Sequence, residues 1–199
     1  WASVTTRNGI SGDEIISMLQ KSIRRGLEHN ALAAAYEMYI TSPQFEDKMW
    51  RRLLSVSVED IGCGDVHAPE LIYTLNNMRK EFLYNDGDRP MFFVHAIRYL
   101  CRQKKERSSD NVKNMLIKDF AHGRGAEVPD YAYDVHTKKG REMGRGELHF
   151  LTEASRVIPQ LEGEDIKKIY NEYLEYCKNE DKDEGKSEVQ PFEYNSWQF

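Results

Sequence analysis

Two carboxylates and two imidazoles crowd one short stretch: Asp134-x-His136 and Glu147-x-His149, with His122 a little upstream. Carboxylate plus imidazole suits a divalent transition metal. The spacing lacks the tight one-turn His-x-x-x-His signature of a helical metal site, so polar loop residues are the plainer reading. Between the two pairs lie Lys138, Lys139, Arg141 and Arg145, interleaved with Gly140, Gly144 and Gly146. Such cations can bind phosphates, and glycine lets a backbone approach closely. The alternative is a solvated loop paired with Glu142 and Glu147. A second cationic run holds Arg98, Arg102, Lys104, Lys105 and Arg107, opposed in sequence by Glu106 alone. Cys63, Cys101 and Cys177 have no evident base beside them, which leaves nucleophilic catalysis without support.

The elements that must carry these groups are helices. The chain has 199 residues, 40% hydrophobic and 31% charged, with a net charge of -5. That is enough for one domain with a real core, and the sign argues against a whole-surface DNA binder. Glycine and proline are scarce, so an all-α fold, a compact helical bundle, is expected. Three widely spaced cysteines argue against a disulfide framework and for a reducing, cytoplasmic setting. No apolar run approaches the length of a membrane span, so no membrane association is expected. The chain begins at Trp1, which leaves the natural start open.

The central stretch runs from Met49 to Gly62. Met49, Trp50, Leu53, Leu54, Ser57, Val58 and Ile61 recur at helical spacing. Ser42-Pro43 supplies a start and Gly62 a stop. Arg51, Arg52, Glu59 and Asp60 are the polar exceptions on this helix. Before it, residues 1–10 read as a polar arm. Ser11 and Glu14 form a capping box for a helix carrying Ile15, Ile16, Met18, Leu19 and Ile23. Lys21, Arg24 and Arg25 complement the end of that helix. Asn30 is expected to cap an alanine-rich helix whose small side chains admit close packing. Tyr36, Tyr39 and Trp50 are expected in the core.

After it, Pro69 opens a helix, and Asp88 with Pro90 opens another. Ser108-Ser109-Asp110 starts a sixth, expected to turn Val112, Met115, Leu116 and Phe120 inward. A last helix spans about 164–177. Residues 11–178 thus read as one helical domain. Residues 179–199 read as an acidic disordered tail ending in four aromatics that look like an anchor.

Several blocks resemble the C-terminal region of the RarA/MgsA family of AAA+ ATPases, whose eukaryotic member is the Werner-helicase-interacting protein. They are Lys21-Ser22-Ile23-Arg24, Ala33-Ala34-Ala35-Tyr36, Arg51-Arg52-Leu53-Leu54 through Glu59-Asp60-Ile61-Gly62, His95-Ala96-Ile97-Arg98-Tyr99-Leu100, and Val128-Pro129 with Thr137-Lys138 through Met143-Gly144-Arg145-Gly146. Order and approximate spacing hold from residue 11 to about 150. The resemblance implies a helical domain related to clamp-loader collars, one that assembles tetramers in DNA replication, recombination and repair. The chain has no Gly-x-x-x-x-Gly-Lys-Ser/Thr cradle, so neither ATPase activity nor a nucleotide cofactor is expected. It reads as an excised C-terminal piece or a stand-alone relative without the motor. The expected partners are copies of itself, as a dimer or tetramer, with DNA and replication or repair proteins as further candidates.

Overall fold

The computed structural model describes residues 1–180, so the acidic aromatic-ended tail from 181 onward lies outside the described residues. Helix dominates: the described residues contain no named strand, only an isolated bridge between Thr5 and Ser11. No helix among them is long and apolar enough to cross a membrane. The chain divides into two compact units, Trp1–Gly125 and Ala126–Phe199.

The first unit holds α1 (Gly12–Arg24), α2 (Glu28–Thr41), α3 (Pro43–Val56), α4 (Ala68–Met78), α5 (Arg89–Arg102) and α6 (Ser108–Ala121). Helices α1, α2, α3 and α5 pack against one another, and α4 closes on α3 and α5. Their shared core contains Ile15, Leu19, Met38, Trp50, Phe93 and Leu100. Ala31, Ala34 and Ala35 are fully buried, so the alanine stripe of α2 sits where neighbouring helices need room. Ser42 caps α3 by accepting the Phe45 N–H at 3.3 Å, with Pro43 behind it.

Several local expectations fail for identifiable reasons. Ser11 does not cap α1 through its side chain; its hydroxyl donates to the Asp13 carboxylate instead. Helix α2 starts at Glu28, which places Asn30 inside the first turn. Asp88 makes no side-chain cap on α5. Tyr36 is exposed, while Tyr39 and Trp50 are buried as expected. The first residues are no free arm. Trp1 packs edge-on against Phe45, Arg7 N–H donates to the Thr41 hydroxyl, and Asn8 donates to Glu37.

One buried carboxylate fixes the far end of the bundle. Glu46 is fully buried and lies 3.0 Å from Arg79 and 2.9 Å from Arg89. Arg89 also donates to the carbonyls of Arg79 and Phe82. Two guanidinium groups thus tie α3 to the turn after α4 and the start of α5. A buried ion left without its partner would be costly, which makes this arrangement specific as well as cohesive.

The second unit, within the described residues, holds α7 (Lys138–Glu142), α8 (Glu147–His149) and α9 (Glu164–Glu180). Thr137 caps α7 by accepting the Gly140 N–H at 3.0 Å. The Tyr173 hydroxyl donates to Glu147, which joins α9 to α8. Cys177 is buried, whereas Ile169 and Tyr173 of α9 are exposed.

In the first unit the Tyr99 hydroxyl donates to Asp65 and fastens α5 to the loop before α4. That bond, with the His67 N–H, holds the Asp65 carboxyl below its ordinary value of 3.8. A carboxyl depressed in the folded state stabilises fully above its unfolded value and loses that contribution as pH falls through the folded one. Wild type should therefore exceed Asp65→Asn in urea midpoint at neutral pH. The gap should close as the pH falls below the ordinary carboxylate range.

Candidate functional site

The polar exceptions of the central helix form a site at its C-terminal end. After Val56 the chain continues as a π turn over Ser57–Ile61. A π turn bonds i to i+5, so each residue rotates less than in an α-helix. Asp60 lies on the inner stripe with Leu53 and Val56, all fully buried, and Val58 is 53% exposed. The apolar pattern places Val58 on the inner face, but five residues after Leu53 it falls off the buried stripe.

A buried carboxylate demands cations. Arg24 of α1 donates to Asp60 through Nε at 2.6 Å, and Arg107, just before α6, donates at 3.0 Å. Gln20 adds a third bond at 3.3 Å. Glu59 completes the set, 3.2 Å from Arg24 and 3.5 Å from Arg107. Arg52 donates to the Gln20 amide oxygen and stands 3.8 Å from Glu59. Arg51 is exposed, and its carbonyl accepts the Ser55 hydroxyl at 3.0 Å. Arg107 also reaches Asp110 at 2.6 Å, so the clamp extends into the first turn of α6.

Glycine makes the approach possible. Gly62 has φ +52°, and a Cβ there would stand 2.5 Å from the Glu106 carbonyl oxygen. A Cβ on Gly64 would stand equally close to the Lys104 carbonyl oxygen, at 2.5 Å. The Glu106 N–H donates to the Asp60 carbonyl at 3.0 Å. The 104–107 segment thus lies directly on the π turn, which is how Arg107 arrives at a carboxylate 47 residues away in sequence.

That geometry also assigns the second cationic run. Lys105 donates to the carbonyls of Leu100, Cys101 and Gln103 at 3.0, 3.1 and 2.6 Å, closing the C-terminus of α5. Burial pushes its ammonium pKa down. Arg98 and Arg102 share Glu28 of α2 at 2.8 and 3.3 Å. Lys104 is exposed.

In the second unit, Arg145 is tied to both carboxylate oxygens of Asp130 at 2.8 and 2.7 Å and to the carbonyls of Asp130 and Tyr133. Arg141 donates to the Val135 carbonyl at 3.0 Å. Lys139 lies over the Tyr133 ring, 4.1 Å from its centroid. Lys138, 87% exposed, stands 3.8 Å from Glu142. Gly140 is buried with no room for a side chain beside the Asp134 backbone, so its smallness serves packing.

The carboxylate–imidazole set does not converge. His136 Nδ1 lies 3.0 Å from Asp134, Glu147 accepts from Tyr173, and the Nδ1 of His149 is buried without a hydrogen-bond partner. Among the described residues no three His, Cys, Asp or Glu side chains are grouped to hold a metal ion. Of the thiols, Cys63 is exposed and Cys101 is buried, its pKa raised to about 11 by burial.

One surface was not anticipated. Helix α6 buries no side chain. Val112, Met115, Leu116, Ile117 and Phe120 are 52–63% exposed, although the helical spacing of four of them predicts an inner face. Periodicity reports that a helix is amphipathic, not what covers it.

No protein-family model matches the chain, and no curated protein matches it either. The site therefore stands on its own geometry. Asp60→Ala leaves Arg24 and Arg107 with Glu59 as the one carboxylate still shared between them among the described residues. Removing one member of a buried ion cluster costs about 3–5 kcal/mol. Urea denaturation of the variant should show a loss of that order, and a loss below about 1 kcal/mol, the range of surface pairs, would contradict the clamp.

Proposed function

We propose that the chain is a non-catalytic assembly domain that joins copies of itself in DNA replication, recombination and repair. The exposed apolar face of α6 carries this reading. Five large apolar side chains over about three turns form the kind of patch that marks protein–protein contact rather than a free surface. The helix also bears Asp110, Lys113, Lys118 and Asp119, two charges of each sign, so two copies meet without net repulsion. The occupant proposed is therefore a second copy, and closed symmetry gives a dimer or tetramer. The DNA setting rests on the resemblance of the motif blocks to the RarA/MgsA C-terminal region.

Light scattering of the purified chain at about 10–100 µM, the range where modest interfaces are populated, tests the assembly. A mass two or four times that of the chain is expected. Met115→Glu with Leu116→Glu should return the monomer with unchanged helix content, because neither side chain is buried. A wild-type chain that is monomeric throughout that range would refute the proposal.

A further inference from the structure

A cavity of about 400 Å³ opens between α1 and α3, and its walls are cationic. Lys21 and Arg24 come from α1, three residues apart; Lys48 and Arg52 come from α3, four apart. Residues at those separations share a helix face. The two packed helices thus aim two rows of positive charge into one groove. Asp13 is the only carboxylate in the wall, and it already accepts from the Ser11 hydroxyl and the Glu14 N–H.

The balance of charge around the groove is uneven by depth. Asp60 and Glu59 hold Arg24 from behind, and Glu59 stands near Arg52, but both acids are shared with Arg107. Lys21 and Lys48 make no ion pair among the described residues; Lys48 lies 5.4 Å from the centroid of the Trp1 ring. Arg52 uses one donor on Gln20, and its Nε has no hydrogen-bond partner. A chain with a net charge of -5 thus leaves two lysines without an ion pair, among the described residues, beside two arginines at one concave place. Lysine and arginine together in a partly enclosed groove favour a compact dianion, and phosphate fits that requirement.

Trp1 sets the second half of the ligand. Trp1 lines the cationic groove, and the residue is 44% exposed. Phe45 braces it edge-on, with ring centroids 4.9 Å apart. A flat aromatic wall beside a phosphate-sized charge cluster offers a base a stacking surface. The volume lies within the range of small-ligand pockets.

We propose that this groove binds a nucleoside monophosphate, its phosphate among Lys21, Lys48 and Arg52 and its base against Trp1. The site is independent of self-association through α6. Neither ammonium is needed by the fold, so Lys21→Ala with Lys48→Ala leaves the helices intact.

Isothermal titration of the full chain at low salt tests the assignment with AMP, adenosine and inorganic phosphate as probes. Saturable AMP binding and no adenosine binding are expected. The Lys21→Ala, Lys48→Ala chain should lose at least about tenfold in AMP affinity, since two charge-assisted contacts go at once. A control with the same charge change elsewhere, Lys80→Ala with Lys168→Ala, should bind as wild type. Trp1→Ala should reduce AMP affinity to that of inorganic phosphate. AMP that fails to saturate by about 5 mM, weaker than any specific site worth the name, overturns the proposal. So does equal binding of adenosine, an equal loss in the control, or AMP binding no tighter than inorganic phosphate.

Discussion

A carboxylate without access to water sits at the joint of the first unit, and α1 and the segment before α6 converge to neutralise it. Asp60 is fully buried. Its charge is tolerable only because two arginines and a glutamine converge on it from α1 and from the segment before α6. A greasy pair of equal volume would stabilise as well or better, so the cluster is better understood as a device of specificity. Only one placement of α1, the π turn and residues 104–107 satisfies every partner.

That constraint determines what the surface offers. Arg107 is shared between Asp60 and Asp110, so the root of α6 is fixed while its outer turns are not buried. The same clamp engages Arg24 and holds Glu59 near Arg52, while Lys21 and Lys48 make no ion pair among the described residues. The second unit uses its cations differently: Arg145 and Arg141 hold loops together, and Lys138 is exposed.

Much of the helical scaffold can be read from spacing and caps. Ser42-Pro43, the alanine stripe of α2 and Gly62 each act through local backbone chemistry that a sequence displays directly. What spacing hides is any rule that depends on a distant partner. The π turn is invisible to a search at α-helical period, and Val58, which the apolar pattern places inward, is exposed. Arg24 reads as a dipole-complementing cation, and nothing near it announces a carboxylate 36 residues away. One local signal was present: Asp60 lies seven residues after Leu53 and three after Ser57, on the buried stripe, where an acid requires a counter-charge. The face of α6 failed for a different reason. Its amphipathic pattern is real, but its covering surface is not supplied by the first unit.

Hydrogen exchange of the intact chain at two concentrations is the most direct measurement of whether the clamp presents α6 as an assembly face. At about 1 µM the amides of α6 should exchange faster than those of α1, α2, α3 and α5, whose apolar faces are buried. At about 200 µM, where a micromolar interface is filled, protection should rise along residues 112–121 and stay constant in the core helices. Protection in α6 that is already core-like when dilute, or that does not change with concentration, would contradict it.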